Sequence, residues 1–342
     1  MAVASLANSD LGRFGDEVKD MSLFPLWERT SGLKPGSNCV PAHWSYAEVR
    51  PHLIRACGLI TKKEAERRVL CLENPSLRGT TFICDSLFAG LQIIMPGEVA
   101  PSHRHTPSAL RFIIEGEGAY TAVAGEKLPM TPGDFVVTPS WAWHDHGNHG
   151  TAPVVWLDGL DTPFAKLFGA SFREEYPQDK QPLDRPEGES TAVYGMSLIP
   201  DEYHSDGRSS PVLIYPYERT CAALDSMARA GKPHLAHGYK LRYANPANGK
   251  HPFPTMAVSM QRLPKGFGGK PYRCTGNAVF AVHRGEGTAR IGDKEFRIGP
   301  HDVFVATPWL PFSFTADSEL ELFSYSDRAG QEALGYWREQ MD

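Results

Sequence analysis

The stretch Pro101-Ser-His-Arg-His-Thr-Pro-Ser-Ala-Leu-Arg-Phe-Ile-Ile-Glu-Gly116, followed by Gly133-Asp-Phe-Val-Val-Thr-Pro-Ser-Trp-Ala-Trp-His-Asp-His-Gly-Asn148, decides the fold. Segments 109–114, 135–138 and 154–157 are short, rich in β-branched and aromatic residues, and bounded by Gly, Pro, Asn or Asp. They are expected to be strands of an antiparallel barrel. Side chains two apart on a strand share a face, so His103 and His105 point the same way, as do His144 and His146. Three imidazoles can then converge inside one barrel.

Imidazole suits iron, zinc, copper or nickel, and three protein nitrogens leave coordination positions open for water, substrate or dioxygen. A single histidine on a strand is more often a hydrogen-bonded or surface residue. Here His103, His105 and His144 arrive together with two glycine frames, and the set is read as metal ligands. Arg111 falls on the same inward parity if no bulge intervenes, and a buried guanidinium requires an anionic partner. That partner is either a substrate carboxylate or an internal acid such as Glu115.

The two halves, Gly97-x5-His103-x-His105-x3-Ala109-x6-Gly116 and Gly133-x5-Pro139-x-Trp141-x2-His144-x3-Asn148, resemble the two-part cupin motif. With Trp156-Leu-Asp-Gly-Leu-Asp161 downstream, and Arg67-Arg-Val-Leu70 and Asn74-Pro75 upstream, the chain closely resembles the gentisate 1,2-dioxygenases. Relatives of that family act on salicylate and 1-hydroxy-2-naphthoate. The resemblance implies a mainly β bicupin, two double-stranded β-helix (jelly-roll) barrels with an N-terminal helical extension. It also implies Fe(II) on His103, His105 and His144, a homotetramer, and a small aromatic hydroxy acid plus O2 as reactants. A 2-hydroxybenzoate would chelate the iron through its carboxylate and ortho-oxygen. The ring would be cleaved between the carboxyl-bearing and hydroxyl-bearing carbons, taking gentisate to maleylpyruvate.

One departure sharpens this. Most cupins carry a carboxylate ligand where this chain has Ala109. A dication held by three neutral imidazoles keeps its full charge, and so favours a dianionic chelator.

Further roles are assigned around the ligands. His146 is placed beyond them as a group that hydrogen-bonds the substrate oxygen or moves its proton, or else only orients a neighbour. Asp158 is expected to orient His146 or a ligand imidazole, or to be a turn residue before Gly159. Gln92 and Arg67 are assigned to distal polar groups of the ring, mainly by resemblance, and Trp156 to the same pocket. Phe88, Gly90 and Gln92 alternate along one strand face. Gly90 either leaves room for a bulkier ring or eases a bend.

An internal repeat supports two barrels. Gly97, His103, His105, Ala109 and Gly116 recur 169 residues later as Gly266, Tyr272, Cys274, Ala278 and Gly285, and Thr138-Pro139 recurs as Thr307-Pro308. At the same offset Ser313 stands for His144 and Phe280 for Arg111, so the second barrel is expected to hold no metal. Tyr272 and Cys274 leave open that it binds something else.

The 342 residues exceed a usual single core, and a net charge of −5 gives no basic face for nucleic acid. No run is apolar enough for a signal peptide or a membrane span. Six scattered cysteines without CxxC spacing indicate a reducing cytoplasm. The expected organisation is a helical extension over 1–75, with a polar start and a helix over Thr61–Leu72 opened by a capping box. A metal-bearing cupin follows over 76–176, a linker and helical connection over 177–250, and a second cupin with a terminal helix over 251–342. Two further readings stay open: a non-catalytic bicupin that binds a small anion, and a redox-neutral metal isomerase.

Overall fold

The computed structural model describes residues 9–28, 32–196, 198–204 and 208–341; the first residues of the polar start lie outside these. The described residues up to Gly36 form one compact unit and those from Ser37 onward another. In the first, helix Ser9–Asp20 and a short 3-10 turn at Leu26–Glu28 bring Phe14 and Trp27 into a stack with centroids 6.4 Å apart.

The second unit holds both barrels, each a six-stranded and a five-stranded antiparallel sheet. In the first barrel the larger sheet is built around Ala109–Glu115, flanked by Phe135–Thr138 and Val154–Leu160, the latter pairing onward with Phe88–Ile94. The smaller sheet carries Val99–His105 between Arg173–Glu175 and His144–Asn148. The second barrel repeats this order, with Ala278–Arg284 central in one sheet and Tyr272–Cys274 in the other.

The frame glycines have a steric reason. Gly116 and Gly285 have φ of 89° and 86°, and a Cβ there would sit 2.3 Å from the Pro153 carbonyl oxygen and 2.1 Å from that of Glu319. Only glycine fits.

The strand Ala109–Glu115 is buried along nearly its whole length because it has apolar neighbours on both sides. Leu110, Phe112 and Ile114 pack in a core shared with the second barrel, where Phe112 stacks on Phe323 at 4.1 Å. Ile113 packs in the first barrel's own interior with Val136 and Trp156. Two sheets packed face to face thus place Arg111 inside a barrel whose outer wall is also core.

Several expectations are corrected. The capping box at Thr61 is present, but its helix spans only Lys62–Ala65. Glu66 then turns at φ 54°, and Arg68–Cys71 pairs as a strand with Phe88–Ile94. The terminal helix is Arg328–Leu334, and the chain continues into strand Glu339–Met341, which pairs with Tyr272–Cys274. Hydrogen bonding also crosses the expected boundaries. Ala42–Trp44 is an edge strand of the second barrel, Arg68–Cys71 and Ile214–Tyr215 are edges of the first, and Tyr239–Arg242 is the other edge of the second.

The repeat has a one-residue slip. His103 pairs with His144, but Tyr272 pairs with Phe312. Trp141 and Trp309 share a left-handed turn and donate to the carbonyls of His105 and Cys274 respectively. The missing residue therefore lies just after Pro308, and Phe312, not Ser313, stands where His144 does.

Candidate metal centre and substrate pocket

His103 and His105 end strand Val99–His105, and His144 begins the strand beside it. A bulge between Ala100 and His103 resets the register so that His103 lies directly across from His144. The ring centroids are 4.1 Å apart for His103 and His144, 4.8 Å for His105 and His144, and 5.2 Å for His103 and His105. One nitrogen from each lies within 4.8 Å of the other two. Among the described residues this is the one group of at least three His, Cys, Asp or Glu side chains with that geometry.

Two of the rings are oriented by backbone. His105 Nδ1 donates to the Pro107 carbonyl at 2.7 Å, and His144 Nδ1 donates to that of Ala142 at 2.9 Å. Each contact puts the proton on Nδ1 and leaves Nε2 as a free donor atom. The Nε2 of His144 is buried and makes no hydrogen bond among the described residues. Burial drives all three rings toward the neutral form: His103 is pushed down to about 2, His105 to about 4, and His144 well below the usual range. Three neutral, inward nitrogens with one orphaned lone pair fit a divalent transition metal.

His103 is held differently. Its Nδ1 faces Nη2 of Arg67, and the same Nη2 donates to the Pro101 carbonyl at 2.7 Å. Arg67 follows the turn at Glu66 rather than lying in a helix, and it touches a candidate ligand directly. Burial, followed by the charge of Arg111, lowers its guanidinium to about 10.

Arg111 and Asp158 face each other across paired strands. The Arg111 Nε to Asp158 Oδ1 separation is 3.3 Å, an ion pair by distance, yet that Nε lacks hydrogen-bond alignment with any acceptor. Arg111 Nη1 donates to the Thr138 hydroxyl. The internal partner is thus Asp158; Glu115 instead accepts from Arg50. Burial raises the Asp158 carboxyl to about 6 against the lowering pull of Arg111, and burial also lowers Arg111. Of the roles open to it in the sequence, Asp158 takes neither the orienting of a histidine nor a turn: it lies within strand Val154–Leu160 and accepts from Trp156 Nε1 at 3.1 Å.

His146 is fully buried, 5.4 Å from the Trp156 ring and 5.9 Å from that of His144. Its Nδ1 is bonded to the Thr121 hydroxyl, and its Nε2 has no partner among the described residues. A hydroxyl can donate or accept, so Thr121 suits either tautomer. Gln92 is buried opposite Trp156, and its amide makes no hydrogen bond among the described residues.

The space at Gly90 is filled. A Cβ there would meet Val69 Cγ1 at 2.5 Å and the Phe88 ring at 3.0 Å. Gly90 admits those two side chains rather than leaving room for a larger ring.

Thr121 and Thr138, which hold His146 and Arg111, were missed in the sequence. Strand parity alone could have marked Thr138, since Arg111 is directly across from Val136 and Ala109 from Thr138. Nothing local marks Thr121, which lies 25 residues from His146.

The cupin domain family matches residues 90–159. The chain is 48% identical over 329 residues to gentisate 1,2-dioxygenase 1 of Aquipseudomonas alcaligenes, covering 95% of each. It is 39% identical over 323 residues to 1-hydroxy-2-naphthoate 1,2-dioxygenase of Nocardioides sp. strain KP7, covering 92% of this chain and 82% of that protein. Salicylate 1,2-dioxygenase from Pseudoaminobacter salicylatoxidans, crystallised as an adduct with gentisate, superposes with a TM-score of 0.91 at 30% identity, covering 100% of this chain and 96% of that chain.

Proposed function

The chain belongs to the gentisate 1,2-dioxygenase family, and from that premise we propose that it is an Fe(II)-dependent dioxygenase converting gentisate and O2 to maleylpyruvate. The observation that carries the reading is the convergence of His103, His105 and His144 within 4.8 Å, with Ala109 where a fourth, acidic ligand would stand. When bound, Fe(II) supplies open positions at which the substrate's chelating oxygens and O2 meet, and a path for electrons between them.

The surrounding residues supply the rest. Arg111 offers its unaligned Nε to the substrate carboxylate, while Asp158 keeps the guanidinium charge compensated until substrate arrives. Nε2 of His146 donates to, or accepts a proton from, the ring oxygen. Thr121 follows that change through Nδ1. Gln92 and Arg67 are assigned to distal polar groups, and Trp156 and Phe88 to the walls. Val69 and Phe88 around Gly90 favour a single ring over a fused one.

The same reading makes the protein a cytoplasmic homotetramer. The six free cysteines are consistent with a reducing compartment, and no helix among the described residues is long and apolar enough to cross a membrane. The test is O2 uptake by iron-reconstituted protein offered gentisate, salicylate and 1-hydroxy-2-naphthoate in parallel, with ring-opened product followed by absorbance. Gentisate is expected to turn over fastest. No uptake by iron-loaded protein with any of the three overturns the reading, and faster turnover of the naphthoate moves the substrate to the fused-ring relatives.

A further inference from the structure

The second barrel has lost the metal ligands but not the chamber. A cavity of about 490 Å³ opens where Tyr272, Cys274 and Phe312 replace His103, His105 and His144. That volume lies within the range of small-molecule sites.

Its charge is one-sided. Lys240, Arg242 and Arg328 line it, and no carboxylate among the described residues does. Arg328 is neutralised by Glu332 and Glu339. Lys240 is not: its ammonium has no hydrogen bond or ion pair among the described residues. Among the described residues Arg242 donates only to the Gly249 carbonyl, at 3.2 Å. Lys240 stands where the first barrel has Val69, since Val69 pairs with Gln92, and Lys240 pairs with Gln261 at the 169-residue offset. Burial lowers its pKa to about 8, a cost that the more distant Cys274 and Glu339 offset only in part.

The other polar groups are also waiting. Gln261, outside the cavity lining but fully buried directly opposite Lys240, has neither amide atom bonded among the described residues. Ser259 and Ser324 pair across strands and face the cavity, and their hydroxyls have no partner among the described residues. Ser324 is level with Phe280, as Asp158 is with Arg111, so the acid of the first barrel has become a hydroxyl. Phe280, Phe312 and Trp337 supply flat apolar walls.

We infer that the second barrel is a metal-free binding site for a small planar carboxylate, its anion held by Lys240 and the serine hydroxyls and its flat body lying against Phe280 and Phe312. Arg242, two residues along the same strand face and nearer the surface, is about 6.7 Å further out and accommodates a second carboxylate when the ligand has one. A substrate-like aromatic acid and a ring-opened unsaturated diacid share this chemistry. The inference is independent of the reaction at the first barrel.

The test is equilibrium dialysis of metal-loaded full-length protein with labelled benzoate and, separately, labelled cis,cis-muconate. Wild type is expected to bind one more equivalent per chain than Lys240→Met of at least one ligand, with metal content unchanged. Lys240→Arg, which keeps the charge, should retain that equivalent with affinity within about tenfold. Benzoate binding points to the aromatic acid as the natural ligand, and muconate binding to the diacid. Equal stoichiometry in wild type and Lys240→Met for both ligands overturns the site. Complete displacement by equimolar inorganic phosphate overturns the planar-carboxylate assignment. Crystals soaked in 3-bromobenzoate give a readout that needs no variant: a bromine anomalous peak beside Phe280 and Phe312 is expected, and its absence at saturation overturns the proposal.

Discussion

Nη2 of Arg67 is aimed at Nδ1 of His103, the ring nitrogen that a ligand bound through Nε2 would keep protonated. A guanidinium can only donate, so metal ligation through Nε2 sets two donors against each other. The Pro101 carbonyl, already 2.7 Å from the same Nη2, gives the arginine somewhere else to point. Arg67→Met is therefore expected to tighten metal binding on the order of tenfold, about 1.4 kcal/mol, while raising the KM for substrate. Competition against a chelator and steady-state kinetics read the two effects separately, and unchanged metal affinity would show that the contact does not oppose loading.

Losing the carbonyl-held imidazole of His105 leaves two of the three converging nitrogens. His105→Ala should abolish iron binding and O2 uptake together. Iron analysis after desalting checks this, and stoichiometric iron in the variant would remove His105 from the ligand set.

Arg111 and Asp158 form a buried pair, and truncating one leaves the other charge uncompensated. Arg111→Ala should retain iron, weaken carboxylate-dependent substrate binding, and lower stability by about 3–5 kcal/mol. Arg111→Met combined with Asp158→Leu should recover most of that stability but not substrate binding. Denaturant melts beside KM values distinguish these. If the double variant binds substrate normally, Arg111 is structural.

Asp161 joins the barrels, accepting from the Ser108 backbone at 2.7 Å and from the Thr255 hydroxyl. Burial raises its carboxyl to about 6, above an unfolded value near 3.8. The folded state therefore binds the extra proton. The associated stability is fully present below about pH 4 and is lost as pH rises through about 6. Asp161→Asn should remove that part of the pH dependence, about 2–3 kcal/mol between pH 4 and 7. Urea melts of metal-free wild type and variant at several pH values test it, and parallel curves would contradict the assignment.

Gly90→Ala pushes a methyl group into Val69 and Phe88 and should cost about 1–3 kcal/mol. Val69→Ala in the same chain should restore most of it. Thermal melts decide the matter; a single variant as stable as wild type would mean that both side chains shift freely.

Sequence made the bicupin and the three histidines legible because the cues are local. Glycines with forced positive φ, and imidazoles spaced two apart, state their geometry within a dozen residues. What stayed hidden depends on pairing. The capping box at Thr61 is real, but residues 68–71 become a strand because Phe88–Ile94 offers an edge. Glu339–Met341 becomes a strand for the same reason. The single deletion after Pro308 exchanged Ser313 for Phe312, which only the cross-strand register reveals. Asp158 as a histidine's partner or a turn residue follows from the sequence alone, whereas its actual partners, Trp156 two residues away on the same strand face and Arg111 across the sheet, follow from the strand pairing.

The edge strands have a consequence for how this protein can be divided. Ala42–Trp44 completes the second barrel, and the chain then crosses to complete the first with Arg68–Cys71 before either barrel's main strands begin. The two cupins are thus laced by one thread that precedes both. A cut at residue 75 strips an edge from each barrel at once, so the duplicated halves, separable on paper at a 169-residue period, are no longer interchangeable parts.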